Sequence, residues 1–135
     1  MAKEKNSLLG IHEGKLAPCP RKFNCVSTEH PDLNRKMLPI SYQSLTLSQA
    51  KELLIHTIKS LPKTEIKEQA DQYIYVEFRT PILEFYHDAE FYFDDQQKEI
   101  HFRSVSRVGF ADFGANKRWM QSVVARFLEA VPENE

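Results

Sequence analysis

Between residues 72 and 107 the chain alternates apolar with polar side chains in three runs, and a two-residue period commits such runs to a sheet with one buried face. In the first run Ile74, Val76, Phe78 and Thr80 fall on one side, and Tyr73, Tyr75, Glu77 and Arg79 on the other. The second, about 86 to 94, sets Ala89, Phe91 and Phe93 against Asp88, Glu90 and Tyr92. The third, about 98 to 107, sets Ile100 and Phe102 against Glu99, His101, Arg103 and Arg107. A polar turn, Asp94 to Gln97, joins the last two and predicts an antiparallel hairpin. A further strand is expected at about 64 to 70.

Helices bracket these strands. Thr46 with Gln49 three residues on has the form of a capping box, in which each side chain satisfies a backbone N–H that the first turn leaves unpaired. Leu47, Ala50, Leu54 and Ile58 then recur at helical spacing until Pro62 stops the run, with His56 as an ordinary, partly exposed histidine. A last helix from about Asn116 to Val131 carries Met120, Val123, Val124, Phe127 and Leu128 on its apolar side, with Trp119 joining the packing. The expected fold is α+β: an antiparallel four- to five-stranded sheet with two helices on one face, in the order strand, helix, four strands, helix. The irregular arm before it holds four of the seven prolines and both cysteines. Within it Pro39 restricts any strand around residues 38 to 43 to an edge or a strand start. Residues 1–15 read as a flexible segment, 16–132 as one domain and 133–135 as a tail.

Eighteen basic residues against nineteen acidic ones leave a net charge of -1, so no global field draws the chain to nucleic acid or anionic lipid. No apolar run reaches the roughly 18 residues of a membrane span, and the first ten residues lack the apolar core of a signal peptide. These features predict a cytoplasmic chain with no transmembrane segment.

The densest run of polar groups is 103 to 118, where a strand breaks at Gly109 and Gly114 and hands over to a helix. Arginines beside a helix start, whose first N–H groups have no partner within the helix, form an anion site. Its candidate residues are Arg103, Arg107, Asp112, Asn116, Ser104 and Ser106, with Asn116 the natural N-cap and Asp112 a turn cap or arginine partner. The competing reading pairs these arginines and Asp112 with acids of the preceding strand, Glu84, Asp88, Glu90 and Asp94, across an exposed face of the sheet. The leading function is thus a small non-enzymatic binding module for an anionic ligand or an unknown protein partner. A hydrolase using Asp88, Glu90, Asp112 and His101, or Ser104 or Ser106 with His101, is the alternative, and a structural or assembly domain the third. No cofactor or metal motif accompanies them.

Cys19 and Cys25 admit three readings. They are packed free thiols, a disulfide worth roughly 2 kcal/mol through loop closure, or part of a zinc site with His12 or His30, whose spacing matches no zinc pattern.

Leu16 to Ser27, Glu84 to Phe91 and, above all, Ile100-His-Phe-Arg-Ser-Val-Ser-Arg-Val-Gly-Phe-Ala-Asp-Phe-Gly-Ala-Asn116 resemble the motifs of the family called domain of unknown function 1499. The resemblance spans roughly residues 16 to 130 and implies no reaction, because the family has no established activity. It singles out Cys19, Asn24, Cys25, Asp88, Glu90, Arg103, Ser104, Ser106, Arg107, Gly109, Asp112, Gly114 and Asn116. It also implies bacterial relatives, some of them membrane-attached or exported, which strengthens the disulfide reading. The chain departs from the family pattern at His87-Asp88, where two acids are common, at Phe23 in place of a proline, and at Trp119, near which a basic residue is usual.

Overall fold

A computed structural model describes residues 9–20, 24–109 and 111–132; the outer part of the expected flexible segment, the tail at 133–135, Phe23 and Phe110 lie outside the described residues. In chain order the elements are β1 (Ile11–His12), β2 (Lys15–Leu16), β3 (Cys25–Ser27), β4 (Ile40–Ser41) and α1 (Leu47–Lys59). After them come β5 (Thr64–Ala70), β6 (Tyr73–Arg79), β7 (Tyr86–Asp94), β8 (Glu99–Ser106) and α2 (Ala115–Ala130).

The three alternating runs form β6, β7 and β8 as expected. They build an antiparallel sheet ordered β3-β8-β7-β6-β5, with β4 also on the outer edge of β8. The sheet is six-stranded rather than four- or five-stranded. The extra edge comes from the arm: β3 pairs with Arg103–Val105 and β4 with Glu99 and Ile100, so two short strands share one long neighbour. β4 starts directly after Pro39, the position a residue without an N–H tolerates.

The apolar sides of β6 to β8 meet both helices. Ile74, Val76, Ala89, Phe91, Phe93, Ile100 and Phe102 pack with Ala50, Leu54 and Ile58 of α1 and Met120, Val123 and Phe127 of α2, all fully buried. Each of these side chains other than the two alanines contributes about 1.5–3 kcal/mol on leaving water. The capping box of α1 is formed in both directions: the Gln49 N–H donates to Thr46 Oγ1 at 3.1 Å and the Thr46 N–H to Gln49 Oε1 at 2.9 Å.

The opposite face of the sheet is charged but not open. Arg103 and Glu90 are 1% and 0% exposed. The β1–β2 hairpin and the segment behind it lie over β7 and β8, where the Gly10 N–H donates to Glu90 and the Pro18 carbonyl accepts from Arg103. The arm therefore acts as a second cover, and a polar layer is sandwiched beneath it. No helix among the described residues is long and apolar enough to cross a membrane.

Candidate functional site

Strand β8 sorts the candidate residues by parity. Arg103 and Arg107 point to the arm side; Ser104 and Ser106 point to α2. What is contiguous in sequence becomes two networks back to back.

On the arm side each arginine is matched by a carboxylate of β7 and a tyrosine of β6. Arg103 donates to Glu90 Oε1 from Nε at 3.2 Å and Nη2 at 2.8 Å, while the Tyr73 hydroxyl donates to Glu90 Oε2. Arg107 donates to both oxygens of Asp88 at 3.0 and 2.8 Å and to Glu77 at 2.7 Å, and the Tyr75 hydroxyl donates to Asp88. The cross-strand pairing with the acids Asp88 and Glu90 is the arrangement present. It is buried rather than exposed, and Asp112 takes no part in it. Burial and the carboxylate beside each hydroxyl push Tyr73 and Tyr75 well above the usual phenol range. The Asp88 carboxylate holds Arg107 above its ordinary value.

On the other side the hub is Asn116. The helix begins one residue earlier than expected, at Ala115, after Gly114 in a left-handed conformation (φ 85°). Asn116 is consequently not the N-cap but a wholly buried residue of the first turn. Asp112 serves the turn instead, accepting from the Gly114 N–H at 2.8 Å and the Asn116 N–H at 3.2 Å. A side chain at Gly114 would also meet Arg118, whose Nη1 lies 2.8 Å from where a Cβ would stand.

The Asn116 amide orientation is determined by its neighbours. Nδ2 faces three acceptors: Asp112 Oδ2 at 2.6 Å, Ser106 Oγ at 2.9 Å and the Asn24 carbonyl at 3.0 Å. Oδ1 accepts from Ser104 Oγ at 2.6 Å and stands 3.1 Å from His87 Nδ1. Two bare lone pairs would repel at that distance, so the His87 proton belongs on Nδ1. Nε2 is then an unprotonated acceptor, and it is buried without a hydrogen-bond partner. An unmet buried acceptor costs about 1–3 kcal/mol. The ring is held flat against Phe78 (centroids 4.6 Å apart, 7° between planes), and Phe78 stacks on Trp119 in turn (4.1 Å, 1°). Burial lowers the His87 pKa below the usual histidine value, which keeps the ring neutral.

His87 and Ser106 belong to the wall of a cavity of about 390 Å³ between the β6–β7 loop and the β8–α2 turn. Its other walls are mainly apolar, including Pro81, Leu83, Phe85 and Val108, with Asp112 and Arg118 as the charged members. Ile82 and Phe113 at this site are each 89% exposed.

The hydrolase candidates are not assembled. Among the described residues His101 has no hydrogen bond or ion pair with Asp88, Glu90 or Asp112: its Nδ1 meets Thr28 Oγ1 at 3.0 Å and its Nε2 lies 3.6 Å from Glu99. Ser106 stands beside His87 at 2.9 Å, not beside His101. Cys19 and Cys25 form a disulfide, and among the described residues no group of acids, histidines and cysteines is arranged to hold a metal. The bridge joins the two arm segments that touch β8, since Asn24 donates to the Gly109 carbonyl at 2.8 Å and its own carbonyl accepts from the Ser106 N–H.

Residues 15–127 match the family described as protein of unknown function, DUF1499. The chain belongs to this family. No curated protein matches the chain. The residues that the resemblance singled out are divided between the two networks: Asp88, Glu90, Arg103 and Arg107 in one, and Asn24, Ser104, Ser106, Asp112 and Asn116 in the other. His87 was not among the candidate site residues. Parity was the available signal, because 87 shares its face with Ala89, Phe91 and Phe93, which puts an imidazole on the helix side together with Ser104 and Ser106.

Proposed function

We propose that this domain is a binding module whose ligand seat is the cavity at the strand-to-helix turn, and that the ligand is small and largely apolar. One observation carries the reading: a concave, mainly apolar space of about 390 Å³ with a few convergent polar groups, His87 and Ser106, in its wall. Ligand pockets generally have this composition and a volume of about 300–1,000 Å³. The anionic ligand expected from Arg103 and Arg107 gains no support from those two side chains, which are engaged by Glu90, Asp88 and Glu77 on the far side of the sheet. Arg118, a lining residue that donates to the Phe113 carbonyl, is the cation available to an anionic substituent.

The disulfide supports an oxidising compartment over the cytoplasmic location expected from the sequence, since such bridges rarely persist among reducing thiols.

The test is a fluorescence titration with N-phenyl-1-naphthylamine, an apolar reporter. Saturable binding is expected in the native protein and its loss in Ala111→Trp, where an indole enters the cavity from an exposed wall position. Equal titrations of the two proteins at equal melting temperature would overturn the reading.

A further inference from the structure

The two most exposed large apolar side chains among the described residues, Ile82 and Phe113, each 89% exposed, stand on different loops at one end of the sheet. Leu83, beside Ile82, is 61% exposed, and all three line the rim of the same cavity. Single exposed apolar residues need no explanation, but here two loops far apart in sequence bring theirs to one place. Phe113 is also held with a left-handed backbone, at φ 52°. That conformation is unfavourable for a bulky residue, and a ring in solvent gains no packing in return.

Each loop has a cation tied to its backbone. Lys63 Nζ donates to the Pro81 carbonyl at 3.0 Å, and Arg118 Nη1 to the Phe113 carbonyl at 2.8 Å. Lys63 and Arg79 share one carboxylate, Glu84, at 2.6 and 2.9 Å, which leaves a positive charge beside Ile82 and Leu83. Beside Phe113, Arg118 and its exposed neighbour Lys117 outnumber Asp112, whose carboxylate is turned to the Gly114 and Asn116 N–H groups.

We propose that this end of the domain docks on an anionic lipid bilayer, with Ile82, Leu83 and Phe113 entering the acyl boundary and Lys63, Arg79 and Arg118 at the level of the headgroup phosphates. Apolar side chains below a tier of cations are what an anionic membrane surface binds. A second copy of the chain or another protein is a poorer match. A stable protein interface takes roughly 800 Å² from each side, more than three side chains on two loop tips supply, whereas fluid hydrocarbon receives isolated side chains. Docking sets the cavity between the loops against the bilayer, but it does not depend on the cavity holding a ligand.

The test sediments the full chain with vesicles of phosphatidylcholine mixed with phosphatidylglycerol, and with vesicles of phosphatidylcholine alone. The native protein should bind the mixed vesicles, and the neutral ones several-fold more weakly. Ile82→Ser combined with Phe113→Ser should weaken binding to the mixed vesicles at least about tenfold, at an unchanged melting temperature because both side chains lie in solvent. A second readout stands even if that variant fails to fold. In Phe113→Trp the added indole should emit at shorter wavelength on the mixed vesicles and be quenched by lipids brominated on the acyl chain. The native protein, whose one tryptophan, Trp119, packs against the core, should show neither change. No binding of the native protein to either vesicle, equal binding to both, equal binding by the serine variant, or an indole left unquenched would overturn the proposal. Self-association of the native protein that the serine variant loses, without vesicle binding, would overturn it in favour of a second copy.

Discussion

Arg103 and Glu90 stand directly opposite each other on β8 and β7, and two guanidinium nitrogens converge on one carboxylate oxygen in a place that water does not reach. A buried pair of this kind is weak evidence of net stabilisation, because desolvating both ions offsets most of their attraction. Its removal is asymmetric, and this gives the first prediction. Glu90→Gln leaves the Arg103 charge uncompensated and should cost about 3–5 kcal/mol in urea unfolding. Glu90→Gln combined with Arg103→Met should recover most of that loss. A double variant no more stable than the single one would refute the account of the layer as a matched pair.

Asn116 carries the second prediction. Asn116→Ala removes the acceptor of Ser104 and His87 and the donor to Asp112, Ser106 and Asn24, and should destabilise by about 3 kcal/mol. Asn116→Asp should be worse at pH 7, since a second carboxylate would face Asp112 Oδ2 at the present 2.6 Å contact. Acidification should narrow the gap between the two variants. Melting temperatures at pH 7 and pH 5 check the order; Asn116→Asp above Asn116→Ala at pH 7 would count against the hub.

The third prediction concerns pH. Burial depresses the His87 pKa in the folded chain below its ordinary 6.5, so between the two values the unfolded state binds more protons and stability rises with pH. The contribution is complete above about pH 6.5 and is lost as the pH falls through the folded value. His30, also lowered by burial and by Arg35, acts in the same direction. His87→Gln should therefore show a smaller drop in melting temperature between pH 6.5 and 5 than the native protein, with the share of His30 remaining. Parallel pH curves for the two proteins would mean that His87 is not held neutral.

Much of the fold was legible because its signals are local. Alternation along 72 to 107 identified β6, β7, β8 and their inward sides, and Thr46 with Gln49 marked the start of α1. The start of α2 was read one residue late because Asn116 has a good capping side chain. A left-handed Gly114 and the carboxylate of Asp112 serve that turn instead and release Asn116 into the core. The candidate stretch was correctly seen as rich in polar groups, but period-two parity divides it, and the arginines and the serines cannot meet in one site.

The order of elements from α1 onward, the inward faces of β6 to β8 and the cap of α1 were thus settled by the sequence alone, since each depends on residues a few positions apart, whereas β1, β2 and β3 of the arm were not foreseen. Only the tertiary structure decided what lies on the charged face and which groups surround His87. Those contacts span 85 residues for Arg103 with Pro18, 92 for Asn116 with Asn24 and 29 for His87 with Asn116. Parity says which side of a sheet a side chain takes, whereas its cover and its partners depend on how a distant segment closes over it.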